Sequence, residues 1–152
     1  MTPLEKWMLW VSTAVVAATG IALGWMKYFV SPEDPYAVIH HPWQPAMLKI
    51  HLVAAPFLVF ALGMVFTRHV VRQWASGRPA GRASGVGLVV TLAPMVISGY
   101  LIQVTTSESW LFRAAMLHVA ASLLYLAGLA GHQVAAWRAG RRASYHPARR
   151  EP

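Results

Sequence analysis

The chain contains no cysteine, and this absence removes three classes of site. Disulfides, cysteine-bound iron–sulfur clusters and haem attached covalently through C-x-x-C-H all require thiols. Charged residues are also scarce: they make up 12% of the 152 residues, about half the fraction typical of soluble domains. Any metal or cofactor must therefore be held without covalent attachment, by histidine or methionine.

Long runs without Asp, Glu, Lys or Arg dominate the sequence. There are four of them, residues 7–26, 52–67, 86–104 and 114–137. A bilayer core of about 30 Å needs roughly 20 residues of helix to cross it. The second run is short, but extending it back to residue 46 adds only Lys49 and His51. The sequence therefore predicts an all-α integral membrane four-helix bundle in up-down-up-down order. The expected helices are residues 4–30, 46–75, 85–104 and 110–139, the second kinked near Pro56.

The basic residues are distributed unevenly about these runs. In a four-span arrangement ten of them fall on one side: Lys6, Arg68, Arg72, Arg78, Arg82, Arg138, Arg141, Arg142, Arg149 and Arg150. This positive-inside pattern places both termini in the cytoplasm, with residues 1–139 as the membrane domain and 140–152 as a basic cytoplasmic tail. It predicts a multi-pass protein of a bacterial-type inner membrane. Because topology explains the net charge of +8, we expect contact with lipid and no nucleic-acid binding.

Four histidines on two of the spans carry most of the functional information. His51 and His69 lie on the second span, and His118 and His132 lie on the fourth. Histidine inside a bilayer is costly and indicates function by default. The two spans run in the same direction, so each contributes one histidine near each membrane face. This arrangement, one histidine per span at each of two levels, predicts two haems with paired axial histidines.

The two histidine spacings differ. On an α-helix the 18-residue step from His51 to His69 corresponds to a rise of about 27 Å, and the 14-residue step from His118 to His132 to about 21 Å. The kink at Pro56 or unequal helix tilts can absorb part of this difference. Alternatively, another ligand serves one level, and His40 or His41 is the substitute that the sequence offers.

Small and basic residues on the other spans suit a flat, anionic cofactor. Glycines on the first and third spans would let a macrocycle approach the backbone: Gly20, Gly24, Gly85 and Gly99. Ordinary helix packing also uses small residues, so this signal is weak. Arg72 on the cytoplasmic side and Arg113 on the external side are expected donors to haem propionates. The two halves of the sequence also resemble each other weakly, with Thr19-Gly20 on the first span and Ser98-Gly99 on the third.

The histidine pattern resembles the di-haem four-helix core of the membrane cytochrome b superfamily, which includes small cytochrome b subunits of quinone-linked redox complexes. The pair Gly85 and Gly99 is similar to glycines that flank the haems in that core. The resemblance covers about residues 4–139. The longer step from His51 to His69 departs from it. The resemblance implies two b-type haems, a quinone or quinol, and a separately encoded iron–sulfur or multihaem cytochrome partner.

The segment between the first two spans is the only long external loop. Prolines prevent a regular helix there, and the loop carries residues able to exchange protons with a quinol: Glu33, Asp34, Tyr36, His40 and His41. These are the quinone-site candidates. The predicted function is transmembrane electron transfer, as a subunit of a respiratory or photosynthetic-type oxidoreductase complex. Two alternatives remain open: a histidine-based metal or proton transporter, and a non-redox membrane scaffold.

Overall fold

The computed structural model describes residues 2–32, 34, 36–76 and 82–145, with side chains as far as Arg141. These residues form long helices and contain no strand. The helices are α1 (Pro3–Tyr28), α2 (Gln44–Val65), a π-helical segment (Phe66–Val71), α3 (Arg72–Ala75), α4 (Arg82–Val104) and α5 (Glu108–Tyr145). Because α2, the π-helical segment and α3 are continuous, the described residues form four helices long and apolar enough to cross a membrane.

The first hairpin, within residues 1–75, begins with a well-formed cap. Thr2 accepts a hydrogen bond from the Glu5 backbone N–H, and the Glu5 carboxylate accepts one from the Thr2 N–H, which forms a capping box. Pro3 occupies the first turn, where its missing N–H costs nothing. The chain leaves α1 at Phe29 and enters α2 at Gln44, so the proline-rich segment separates the two helices as expected.

Helices α1 and α2 pack antiparallel in this hairpin. Its core consists of Leu9, Leu58, Ala61 and Val65, and Ala61 has no exposed surface at all. A small, fully buried residue in this core lets the two helices pack closely, as is common in membrane proteins. Beyond this core an ion pair joins Glu5 to Arg68 at 3.0 Å.

The second hairpin, within residues 76–152, is built from α4 and α5, which also pack antiparallel. Here too a small residue sits at a close contact, since a Cβ on Gly128 would lie 3.3 Å from the Leu88 Cδ2 atom. Ala114, Ala121 and Tyr125 are its buried apolar residues.

Large apolar side chains cover the outside of both hairpins. Phe57 and Phe60 on α2 are 59% and 61% exposed, and Leu123 and Leu124 on α5 are 58% and 63% exposed. Exposed apolar surface of this extent marks contact with a partner or with lipid. Together with the lengths of the four helices, it indicates a multi-pass membrane protein.

The structure confirms the four helices and adjusts their bounds. The second long helix has a π-helical segment at Phe66–Val71, where the sequence predicts continuous α-helix. The fourth continues to Tyr145, so the first residues of the predicted tail are helical. This extension has a physical reason: the sequence after residue 139 contains Arg and Ala, which favour helix, and reaches no proline until Pro147. The remainder of the tail lies outside the described residues.

Candidate functional site

In the first hairpin, His51 on α2 packs against Val16, Thr19 and Gly20 on α1. We call this arrangement a histidine cradle. The His51 Nδ1 atom lies 3.1 Å from the Val16 carbonyl oxygen and 3.0 Å from the Thr19 hydroxyl. The Thr19 hydroxyl donates its own proton to the Val15 carbonyl at 2.7 Å, which leaves it an acceptor toward the ring. The edge of the imidazole rests against Gly20, where a Cβ would come within 3.1 Å of the His51 Cε1 atom.

The second cradle repeats this arrangement between α4 and α5. The His118 Nδ1 atom donates to the Met95 carbonyl at 2.9 Å and lies 3.4 Å from the Ser98 hydroxyl. Ser98, which is fully buried, donates to the Pro94 carbonyl. A Cβ on Gly99 would lie 3.1 Å from the His118 Cε1 atom. The same four types of contact therefore occur in both hairpins.

These contacts fix the tautomer of both histidines. A carbonyl oxygen can only accept a hydrogen bond, so the Nδ1 atoms of His51 and His118 must carry protons. In a neutral imidazole the lone pair then belongs to Nε2. Histidines that ligate metals in proteins almost always donate their other ring N–H in this way, which orients the ring and increases its basicity. His51 and His118 share this orienting contact with metal-ligating histidines.

A third, partial cradle lies nearer the start of α4. The Ser84 hydroxyl is 2.9 Å from the His132 Nδ1 atom, and Gly85 follows Ser84 as Gly99 follows Ser98. A Cβ on Gly85 would meet no atom within 4 Å, so this glycine does not touch the ring. In the first two cradles the carbonyl that binds the ring belongs to Val16 or Met95, three residues before the hydroxyl residue. The equivalent position in the third cradle is Gly81, which lies outside the described residues.

His69, the fourth histidine expected from the sequence, has a different setting. It lies on the π-helical segment, and its side chain is exposed, whereas His51, His118 and His132 are half-buried. A π-helix forms i→i+5 hydrogen bonds and turns less per residue than an α-helix. The rise of about 27 Å expected between His51 and His69 assumes continuous α-helix, so it does not hold across the π-helical segment.

The glycines and arginines that the sequence predicts around a cofactor have different surroundings in the structure. Gly20 and Gly99 contact the histidine rings, whereas a Cβ on Gly24 would meet no atom within 4 Å. Arg72 lines an open cleft of about 380 Å³ beside the Glu5–Arg68 pair. Arg113 lies over the ring of Trp110, with 5.2 Å from its Cζ atom to the ring centroid.

The loop candidates for quinone binding make local contacts. The Asp34 carboxylate accepts a hydrogen bond from the Tyr36 backbone N–H, and the Tyr36 side chain is 92% exposed. The His41 Nδ1 atom accepts from the Trp43 N–H, and the ring lies 6.3 Å from that of Trp25. Glu33 lies outside the described residues, and His40 donates its backbone N–H to Gln44.

The acidic residues and histidines that the structure describes form no larger cluster. Among the residues that the structure describes, no three His, Cys, Asp or Glu side chains form a group able to hold a metal ion. A zinc or copper site made from protein alone usually needs three or four such ligands, whereas haem iron needs only one or two. Each cradle presents one histidine, which is a kind of donor that haem iron accepts.

One feature that the sequence reasoning missed is the role of the Ser and Thr hydroxyls. The signal was present, because Ser84-Gly85 and Ser98-Gly99 stand 14 residues apart, like His118 and His132. Comparison with known proteins adds no assignment, since no protein-family model, curated protein or solved structure matches the chain.

Proposed function

We propose that this protein is a b-type haem protein of a membrane, and that it carries electrons between a quinone pool and a partner redox protein. The observation that supports the proposal most is the repeated cradle at His51 and His118. In both cradles the Nδ1–H group donates a hydrogen bond to a backbone carbonyl, so the lone pair of the neutral ring is on Nε2.

The assignment of ligands follows from the cradles and from the expected topology. His51, His118 and His132 would hold haem iron, and the sequence predicts His69 as a further ligand. Bound haem would supply a one-electron couple between ferric and ferrous iron.

The residues of the chain would have three tasks around such a cofactor. The hydroxyls of Thr19 and Ser98 hold the ligand rings in one orientation, so that little rearrangement accompanies a change of charge at the metal. Gly20 and Gly99 make room for the rings. The apolar side chains of the four helices exclude water and let the protein reside in lipid.

The proposed role also includes a membrane orientation, a quinol contact at the external loop and a partner subunit. Both termini would lie on the cytoplasmic side of a bacterial-type inner membrane, with the helices in up-down-up-down order, as the distribution of basic residues in the sequence favours. The loop with His40, His41 and Tyr36 would lie on the external side, where a quinol could pass its protons to the imidazoles. An iron–sulfur or multihaem subunit, encoded separately, would exchange electrons with the haems in an oxidoreductase complex.

Haem content tests this proposal directly. The protein, expressed with haem available and purified in mild detergent, should be red and contain about two haems per chain, with the sharp reduced bands of b-type haem. His118→Ala should remove about one haem. His146→Ala, a histidine outside every candidate set, should retain both. A colourless wild-type protein would refute the proposal, and copper or zinc binding by that protein would favour a transporter instead.

A further inference from the structure

An open cleft of about 380 Å³ lies at the end of the first hairpin where α1 begins and the second long helix ends. Residues from the start of α1, from the π-helical segment and from α3 line it: Thr2, Glu5, Thr67, Arg68 and Arg72. All five belong to the first hairpin, so the cleft is formed within one compact unit. None of them contributes to a histidine cradle, and the proposed electron transfer gives the cleft no role.

The charges in the cleft do not cancel. Among the described residues that line it, Glu5 is the only acidic one, and Arg68 and Arg72 are the basic ones. Two guanidinium groups less one carboxylate leave a net charge of +1. A phosphodiester carries a single negative charge, so one such group would neutralise the cleft.

Glu5 fixes the position of Arg68. The Glu5 side chain is buried, and its two carboxylate oxygens accept the Thr2 N–H at 2.9 Å and lie 3.0 Å from the Arg68 Nη1 atom. A buried carboxylate is costly unless it is paired, so this contact holds Arg68 at the cleft. The Arg68 side chain remains 67% exposed, and N–H donors of its guanidinium stay accessible to a further anion.

Arg72 and a hydroxyl add further donors. Arg72 is exposed, and the carboxylate of the cleft is already paired with Arg68. A guanidinium suits phosphate because its planar fork can donate two parallel hydrogen bonds to two phosphate oxygens. The Thr2 hydroxyl accepts a hydrogen bond from the Glu5 N–H, which leaves its own proton able to donate. The cleft therefore combines the donor groups that bind phosphate in proteins.

Exposed tryptophans lie close to the cleft along both helices. Trp7 follows Glu5 by two residues and Trp74 follows Arg72 by two, and both indoles are exposed. Two residues of α-helix correspond to about 3 Å along the helix axis. Tryptophan is enriched at the headgroup level of a membrane. Because the helices of this hairpin are long and apolar enough to cross a membrane, we expect the cleft at the level of the lipid phosphates.

From these observations we propose that the cleft binds the phosphate of an anionic phospholipid, with Arg68 and Arg72 as donors and Glu5 as the residue that positions Arg68. Phosphatidylglycerol has the required chemistry, since its only charge is that of the phosphodiester. Phosphatidylcholine has the same phosphodiester with a cation beside it, which a cleft of net positive charge disfavours. Inorganic phosphate shares the anion but lacks acyl chains to contact the exposed apolar side chains of the helices. Lipid binding at this cleft is independent of haem.

Native mass spectrometry of the full chain in mild detergent tests the site, with phosphatidylglycerol and phosphatidylcholine added separately. Wild-type protein should bind phosphatidylglycerol more tightly than phosphatidylcholine. Arg72→Gln should weaken phosphatidylglycerol binding by about tenfold, the low end for loss of a hydrogen bond to a charged group. Arg138→Gln is the matched control: it removes the same charge from an exposed position on α5, outside the cleft, and should bind as the wild type does.

Three results would overturn the proposal. The first is equal binding of the two lipids by the wild-type protein, and the second is an equal loss in Arg72→Gln and Arg138→Gln. The third is displacement of bound phosphatidylglycerol by inorganic phosphate at the same concentration, which would make the ligand a free anion. None of these measurements depends on whether the protein contains haem, so they leave the proposed function untouched.

A conservative variant keeps the test decisive if Arg72→Gln does not fold, as judged by far-ultraviolet circular dichroism. Arg72→Lys retains the positive charge but loses the planar fork. It should bind phosphatidylglycerol more weakly than the wild type and phosphatidylcholine equally well. Unchanged binding of phosphatidylglycerol by folded Arg72→Lys would refute the role of the Arg72 guanidinium.

Discussion

Replacing Gly99 by alanine tests the close contact on which the second cradle depends. The added Cβ would lie 3.1 Å from the His118 Cε1 atom and 3.3 Å from its Nδ1 atom. Carbon atoms prefer a separation of about 3.5–4.0 Å, so the ring must move by at least about 0.4 Å. That movement stretches the 2.9 Å hydrogen bond to the Met95 carbonyl. Overpacking of this kind costs about 1–3 kcal/mol. Alanine also favours the helical backbone by about 0.5–1 kcal/mol relative to glycine.

Gly87→Ala is the matched control for this variant. Gly87 lies on the same helix, and a Cβ there would meet no atom within 4 Å. Both variants gain the same helical preference of alanine over glycine. The difference between their free energies of unfolding is therefore the cost of the contact between the new Cβ and the His118 ring, about 1–3 kcal/mol. Reversible unfolding by sodium dodecyl sulfate in mixed micelles, followed by far-ultraviolet circular dichroism, gives both values. Equal free energies of unfolding would refute the contact between Gly99 and the His118 ring.

Three further predictions concern the first hairpin. Glu5→Gln should lower the free energy of unfolding by at most about 1 kcal/mol, because the exposed Arg68 is well solvated. This loss should disappear at high salt concentration. A loss of the same size at low and high salt would contradict the ion pair. Thr19→Val should cost about 1 kcal/mol through the lost bond to His51, with Thr19→Ser restoring most of it, and an equal loss in both would contradict the hydroxyl's role. Ala61→Leu should destabilise the protein by about 1–3 kcal/mol in the same unfolding assay, because Ala61 is fully buried, and an unchanged midpoint would disprove that packing.

The sequence alone determined where the helices run and which histidines lie on them. Length and hydrophobicity are local properties, and a bilayer imposes both on any helix that crosses it. The four runs without charge therefore gave the helices within a few residues, except for the π-helical segment and the longer α5. The positions of His51, His118 and His132 on apolar helices were likewise readable, because histidine in such runs is rare enough to indicate a role.

Only the tertiary structure decided what each histidine contacts. His51 meets Thr19 and His132 meets Ser84 across 32 and 48 residues of sequence, and such contacts depend on the register of two packed helices. Register is set by how side chains interlock along the whole hairpin, with Ala61 fully buried in the core of the first. No local pattern contains that information.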